Sequence, residues 1–440
     1  MKQLICLMMC AVAVSALAAG HVTLRGTYRS PLTGVYPGTE REVLVSVPDA
    51  YTGEQPACVF VGFDGVLCNA PAVFDSLMAA GTMPVTIGVY VQPGVLRKDD
   101  GTVLRYNRSV EFDATTGEMA AFLEQEVLPW VERMTTPDGR PVRLSHRAAD
   151  RAVFGLSSGG IAALTAAWHR PHLFSRVFSG VGTFVAMRGG NLLQAIVRKH
   201  EPQPLRVFLQ DGTADAWNPL FGHWYEGNRM LASALDFAGY ETRYDWSDGG
   251  HNERRSTRIF AEVMTWLWSG WPAAPACGTT ANDFLAPLLQ GHPTGWRHTV
   301  ITQSPPRRPC QALYPDGSLR AYYVEGHNRL WQQVTDLPAS AEPFYWLHSY
   351  DNAPLQVGPM AFDANGNLWV VTSAGLQACD QNGRVRGILK LPPDVAASDV
   401  LTLDIANGRI ILCTAALRYE RALSIQPPVP GQRPGSQGQG

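Results

Sequence analysis

The sequence predicts an α/β protein, a doubly wound sheet covered by helices on both faces, followed by a smaller all-β domain. Three observations predict it. Short apolar runs alternate with helix-period segments from about residue 46 to 268. A Gly-x-Ser-x-Gly pentapeptide at 155–159 joins one such run to one such segment. After Cys277 helical periods fade, and short strands bounded by turns take over.

Strands are expected at 58–63, 85–91, 151–154, 205–210 and 242–246, and helices at 116–133, 160–169, 226–238 and 257–268. Such alternation implies a parallel sheet. Pro272-Ala273-Ala274-Pro275-Ala276 reads as a linker. Beyond it, Pro315-Asp316-Gly317, Asp363-Ala364-Asn365-Gly366 and Asp380-Gln381-Asn382-Gly383 are turn sequences between short antiparallel strands. The stretch 426–440 is mostly Pro, Gly and Gln and is expected to be disordered. The expected layout is a signal peptide at 1–19, an α/β domain at 20–271, a linker at 272–276, a β domain at 277–425 and a tail at 426–440.

At 440 residues the chain exceeds what one hydrophobic core usually serves, and 45% apolar with 17% charged residues fits a globular protein. A net charge of −2 argues against nucleic acid or anionic lipid as a partner. Lys2, the apolar run 4–17 and Ala16-Leu17-Ala18 form an export signal, which implies a periplasmic or extracellular protein. That run is short for a bilayer and no later one reaches ~18 residues, so no stable membrane insertion is expected. Cys10 follows Met8-Met9, too bulky for the usual site of lipidation. The six cysteines that would remain after loss of residues 1–19, Cys58, Cys68, Cys277, Cys310, Cys379 and Cys413, have irregular spacings without CxxC, which argues against a metal or redox motif.

Gly155-Leu156-Ser157-Ser158-Gly159 matches the nucleophile elbow, with Ala152-Val153-Phe154 before it as strand and Ile161-Ala162-Ala163-Leu164 after it as helix. Side chains two residues either side of the serine are expected to strike neighbouring backbone. The bland alternative is a Gly/Ser turn without chemistry. A serine hydroxyl needs a base, and in this fold acid and His follow the nucleophile in that order. His251 fits, in a loop after the strand 242–246 and after Asp248-Gly249-Gly250. His223 is the rival. The acid should end the strand 205–210, where Asp211 and Asp215 compete. Gly212 favours Asp215, because a tight turn there would swing the later carboxylate toward His251. The oxyanion hole would use the N–H of Ser158 and that of Gly65 or Val66, after the strand 58–63. Asp64, Trp217, His223 and Trp224 are candidate substrate-pocket residues. No metal and no cofactor is expected.

With these residues in place, the chain from about 27 to 268 resembles the enterochelin-esterase-like or esterase D group of α/β-hydrolases, which includes feruloyl and acetylxylan esterases of plant cell-wall polysaccharide. The matching pieces are Leu128-Pro129-Trp130-Val131-Glu132, Gly155 to Gly160, Pro171-His172-Leu173-Phe174, Gln210 to Asp215 and Gly249-Gly250-His251. The resemblance places the acid at the Asp of G-T-x-D, Asp215. Arg105-Tyr106-Asn107-Arg108-Ser109, 184–190 and Phe221-Gly222-His223-Trp224 are similar to a subgroup of secreted multi-domain esterases. From about 309 to 421 the chain resembles part of an SMP-30/gluconolactonase β-propeller, through 360–370 and Ala374-Gly375-Leu376-Gln377. Pro309 and Gly358 stand where that family has its Asn and Asp metal ligands, with Cys310 in place of the Gly after the Asn, so the resemblance implies a structural or binding role there.

The sum is an expected secreted serine carboxylic-ester hydrolase. Its substrate would be an acylated polysaccharide or oligosaccharide, with acetyl or feruloyl as the acyl group. The alternatives are an acyltransferase with the same triad and a non-catalytic carbohydrate-binding protein.

Overall fold

The computed structural model describes residues 20–289, 295–351 and 354–423. The expected signal peptide at 1–19 and tail at 426–440 lie outside the described residues.

The described residues open on two strands not expected from the sequence, β1 (His21–Arg29) and β2 (Glu40–Pro48), which pair antiparallel. There follow β3 (Cys58–Phe63), α1 (Ala70–Ala79), β4 (Thr86–Val91) and a hairpin of β5 (Val95–Arg97) and β6 (Val103–Tyr106). After α2 (Arg108–Phe112), α3 (Glu118–Phe122) runs through a π-helical turn into α4 (Leu128–Val131). Next come β7 (Arg151–Leu156), α5 (Ser158–His169), β8 (Arg176–Gly180), α6 (Leu193–Lys199) and β9 (Arg206–Ala214). A two-residue ribbon of β10 (Trp217–Asn218) and β11 (Gly222–His223) precedes α7 (Trp224–Phe237), β12 (Glu241–Gly250) and α8 (Arg254–Trp268).

The main sheet has the order β12-β9-β8-β7-β3-β4-β2-β5-β6, with β1 on β2. From β4 to β12 the strands are parallel, and β2 meets β4 antiparallel. The sheet is therefore mixed, where alternation alone implied parallel. The connection from β1 to β2 carries no crossover helix, and a short connection makes an antiparallel pair. Both faces are covered. Val59, Val61 and Val153 join a core with Ile161 and Leu164 of α5, while Phe60 and Phe154 join Phe74 of α1 and Phe260 of α8. That is the two-residue period of strands buried on both faces. The Phe60 ring lies 4.8 Å from that of Phe74, and Phe60→Ala would cost ~3–5 kcal/mol.

The 272–276 segment is fastened to this domain: Arg147 donates to the Pro272 carbonyl at 3.1 Å and Arg176 to that of Ala273 at 3.0 Å. After α9 (Leu285–Leu289) the described residues form β-strands joined by turns, with two short 3-10 turns at Pro338–Ser340 and Ala397–Asp399. Its strands are β13 (Arg297–Val300), β14 (Gln311–Leu313), β15 (Leu319–Tyr323), β16 (Arg329–Val334), β17 (Glu342–Trp346), β18 (Val357–Phe362), β19 (Leu368–Thr372), β20 (Gly375–Cys379), β21 (Val385–Leu389), β22 (Thr402–Ala406), β23 (Arg409–Cys413) and β24 (Leu417–Ala422). They form three four-stranded antiparallel sheets, β14 to β17, β18 to β21 and β22 to β24, and β13 completes the third. Gly317, Gly366 and Gly383 take positive φ in the expected turns.

This all-β domain packs along α6. Arg421 donates to both oxygens of Glu201 at 2.8 and 2.9 Å, the Glu201 N–H donates to the Ile388 carbonyl at 2.9 Å, and Lys199 Nζ donates to His348 Nε2 at 2.9 Å. All six described cysteines are unpaired. Among the described residues no helix is long and apolar enough to cross a membrane, and no group of three or more His, Cys, Asp or Glu is placed to hold a metal ion.

Candidate active site

Ligand sites in doubly wound sheets lie beyond the carboxyl ends of the parallel strands. Four of those ends converge here. Ser157 follows β7, at φ 58 and ψ −121, a conformation non-glycine residues rarely adopt and one that costs ~1–3 kcal/mol. Neighbours enforce it: the Ser157 N–H donates to the Gly180 carbonyl at 3.0 Å, and its carbonyl accepts from Thr183 at 3.2 Å. A Cβ on Gly155 would lie 2.1 Å from the Gly159 carbonyl oxygen. One on Gly159 would lie 3.2 Å from Phe63 Cβ and from Asp64 Oδ2, side-chain atoms and not the expected backbone.

His251 follows β12 and Asp215 follows β9, two strands paired in parallel with Trp246 opposite Asp211 and Gly250 opposite Ala214. Gly212 opens the expected turn, its carbonyl accepting from the Asp215 N–H at 2.9 Å. It continues β9, and a Cβ there would lie 2.0 Å from the Gly249 carbonyl oxygen. Its missing side chain lets the two loops approach. Ser157 Oγ lies 2.7 Å from His251 Nε2, and His251 Nδ1 lies 2.6 Å from Asp215 Oδ1. The Asp215 side chain is fully buried, whereas His251 is partly exposed. In that arrangement the hydroxyl donates to the imidazole, and the imidazole's other N–H donates to the carboxylate.

The family model described as "Putative esterase" matches residues 34–264. The chain belongs to the esterase family. Among solved structures it is similar to enterobactin esterase FES from Shigella flexneri, at 22% identity over 56% of this chain and 59% of that one, with a TM-score of 0.42. It is likewise similar to a ferulic acid esterase, at 17% identity over 56% of this chain and 98% of that one, with a TM-score of 0.42. A third is FphF, a fluorophosphonate-binding serine hydrolase of Staphylococcus aureus, at 13% identity over 57% of this chain and 99% of that one, with a TM-score of 0.39. This esterase-family chain thus covers 59% of the length of the Shigella enzyme. No curated protein matches it.

Around the esterase-family elbow the other candidates fall at different places. Ser158 is the first residue of α5, where N–H groups have no acceptor within the helix and the helix dipole favours negative charge. Gly65 and Val66 follow β3, with Asp64 and Gly65 at positive φ, and a Cβ on Gly65 would meet Gln92 Nε2 at 2.4 Å. Asp64 is not a free pocket carboxylate. Arg108 holds it at 2.7 and 2.8 Å and also donates to Ser158 Oγ at 2.9 Å. Arg108 therefore ties the loop of Gly65 to the elbow, a role no sequence signal assigned. Thr183 is another residue not foreseen: its Oγ1 lies 3.5 Å from Ser157 Oγ and accepts from Trp224 Nε1 at 3.3 Å. Trp224 is buried and edge-on to His251, with ring centroids 5.8 Å apart. Trp217 is 67% exposed on the ribbon. His223 pairs with it there and lies edge-on to Tyr225, so His251 and not His223 meets Ser157.

Asp211 and Asp215 are a coupled pair. Burial pushes Asp211 up and the neighbouring Asp215 carboxylate pushes it further, to about 9, against hydrogen bonds from the Gly212 N–H and Asn228. Burial also raises Asp215, but hydrogen bonds from His251, Asp211 and the Ala216 N–H outweigh it and hold Asp215 below its ordinary value. At neutral pH Asp211 is the neutral acid and Asp215 the carboxylate. Asp211 Oδ2 and Asp215 Oδ2 are both buried and accept no hydrogen bond from an N–H or from a hydroxyl group among the described residues.

Proposed function

We propose that the chain is an exported serine esterase that removes acetyl or feruloyl groups from plant cell-wall polysaccharide. The observation that carries the reading is the row of contacts from Ser157 Oγ through His251 to Asp215, at 2.7 and 2.6 Å. Ser157 Oγ attacks the ester carbonyl as His251 Nε2 takes its proton. The oxyanion of the tetrahedral intermediate accepts from the Ser158 N–H and from that of Gly65 or Val66, each worth ~3 kcal/mol. Collapse breaks the bond to the sugar oxygen, which takes the proton from His251 and leaves an acyl group on Ser157. Water then attacks that acyl carbonyl, with His251 again as base, and the free acid departs. Asp215 fixes the imidazole tautomer and stabilises the imidazolium. The sugar part of the reading is supported by the motif resemblance and by Trp217, exposed beside the site. Export is supported by Lys2 and the apolar run 4–17.

The test is release of acetate and of hydroxycinnamate from acetylated and from feruloylated xylan. Release of either acid supports the reading. Turnover of a small soluble ester with no release from either polymer would contradict the polysaccharide assignment.

A further inference from the structure

A cavity of about 570 Å³ lies in the β domain, away from Ser157. One wall is the outer face of the sheet β14 to β17. Arg329 and Trp331 stand two residues apart on β16 and share that face, while Leu330 between them is buried on the other. The register sets Trp346 opposite Arg329 and Pro343 opposite Trp331, so all four residues line the cavity. The lining also includes His348 and Leu192, the latter from the esterase part.

The chemistry of this lining is specific in two ways. It offers aromatic faces, with Trp346 60% exposed, and such faces suit the apolar faces of sugar rings. Its charge has one sign. No Asp or Glu lines the cavity, the Arg329 guanidinium lies 3.8 Å from the Trp346 ring centroid, and Lys199 stands behind His348 at 2.9 Å. The volume suits a ligand of one or a few rings. Position adds a third argument. β8 ends at the carboxyl edge of the sheet, Thr183 then touches Ser157, and the same segment reaches the cavity wall at Leu192. Arg188 within it pairs with Asp351 of the β domain at 3.0 Å. Cavity and elbow thus share one short connecting segment.

We infer that this cavity is a saccharide subsite, which seats sugar rings of the substrate chain on Trp331 and Trp346 and pairs Arg329 with the carboxylate of an acidic sugar. The inference rests on the cell-wall reading above. It gives the β domain a role in holding the polymer while an ester on the same chain reaches Ser157.

The test is calorimetric titration of the full chain carrying Ser157→Ala, so that nothing turns over. The two probes are xylohexaose and the same oligomer bearing a glucuronic acid branch. Both should bind saturably, the acidic one a few-fold tighter and with affinity that falls as salt rises. Adding Trp346→Ala should weaken both by about tenfold, the loss of one aromatic contact. That position is exposed, so the variant should melt with its parent. Adding Arg329→Gln should weaken only the acidic oligomer. Absence of saturable binding, or binding untouched by Trp346→Ala, overturns the subsite. Equal affinity for both oligomers overturns the acidic sugar. Acyl release by the wild-type protein separates the two claims. Release without oligomer binding sinks the subsite alone, and oligomer binding without release sinks the esterase reading alone.

Discussion

Asp211 and Asp215 are four residues apart and carry opposite protonation, so they answer differently to the same substitution. Asp215→Asn should lower kcat by on the order of 10³- to 10⁴-fold, because the wrong imidazole tautomer then faces Ser157. Asp211→Asn should stay within a few-fold of wild type, since an amide N–H can donate where the neutral acid did. Steady-state kinetics on one small ester compares the two. The same pair predicts a pH dependence of stability. With its folded value raised to about 9, Asp211 keeps a proton that the unfolded chain releases near pH 4, so its contribution to stability falls as pH rises between those values. Denaturation at pH 5 and pH 8 should show Asp211→Asn gaining stability relative to wild type at the higher pH. An equal difference at both would mean that Asp211 is ionised in the fold. Arg108 acts through others, on Asp64 and Ser158. Arg108→Gln should lower kcat by about tenfold or more with KM little changed, and Arg108→Lys should recover part of the loss. A matched rise in KM with constant kcat would place Arg108 in ground-state binding instead.

Pairs of elements decide where these residues meet, and they also decide what the sequence could disclose. The elbow is local: strand, Gly155, Ser157, Gly159 and helix lie within a few residues, so its letters carry its geometry. The β9 and β12 approach is not local. Gly212 could be read only as a turn, because the atom it avoids, the Gly249 carbonyl oxygen, lies on another strand. Gly212→Ala should push those strands apart, with a loss of ~1–3 kcal/mol in stability and at least about tenfold in kcat, measured by denaturation and by turnover. Wild-type kinetics in that variant would mean that the close approach is incidental. β1 escaped notice because Gly26 interrupts its alternation. The Trp130 ring fills that space, 2.6 Å from where a Cβ would stand. β8 escaped because its first residue is a buried arginine, Arg176, satisfied by the carbonyls of Ala149, Leu267 and Ala273. Arg108 is invisible for the same reason, with its partners 44 and 50 residues away.

Across the whole molecule, the β domain is joined to the esterase part by more than its linker. Arg421 and Glu201 are both buried where the two meet, and Glu201 also accepts from the Lys390 N–H at 3.2 Å. Breaking a buried pair leaves an uncompensated charge, so Arg421→Met should cost ~3–5 kcal/mol, and adding Glu201→Gln should return part of it. Denaturant titration of the single and double variants measures this. Equal stability of Arg421→Met and wild type would mean that the two parts are energetically separate. A chain cut near residue 272 would strand Glu201 without its cation, yet the row of Ser157, His251 and Asp215 lies wholly before the cut.

The most direct test of that row is to find the acyl group. Turnover of a slow ester is quenched in acid and the protein is digested and weighed. The acyl mass should sit on the peptide at Ser157, and Ser157→Ala should carry none while losing at least about 10³-fold in kcat. Acyl mass on Ser158, or full turnover with Ser157 unmodified and replaceable, would contradict the account.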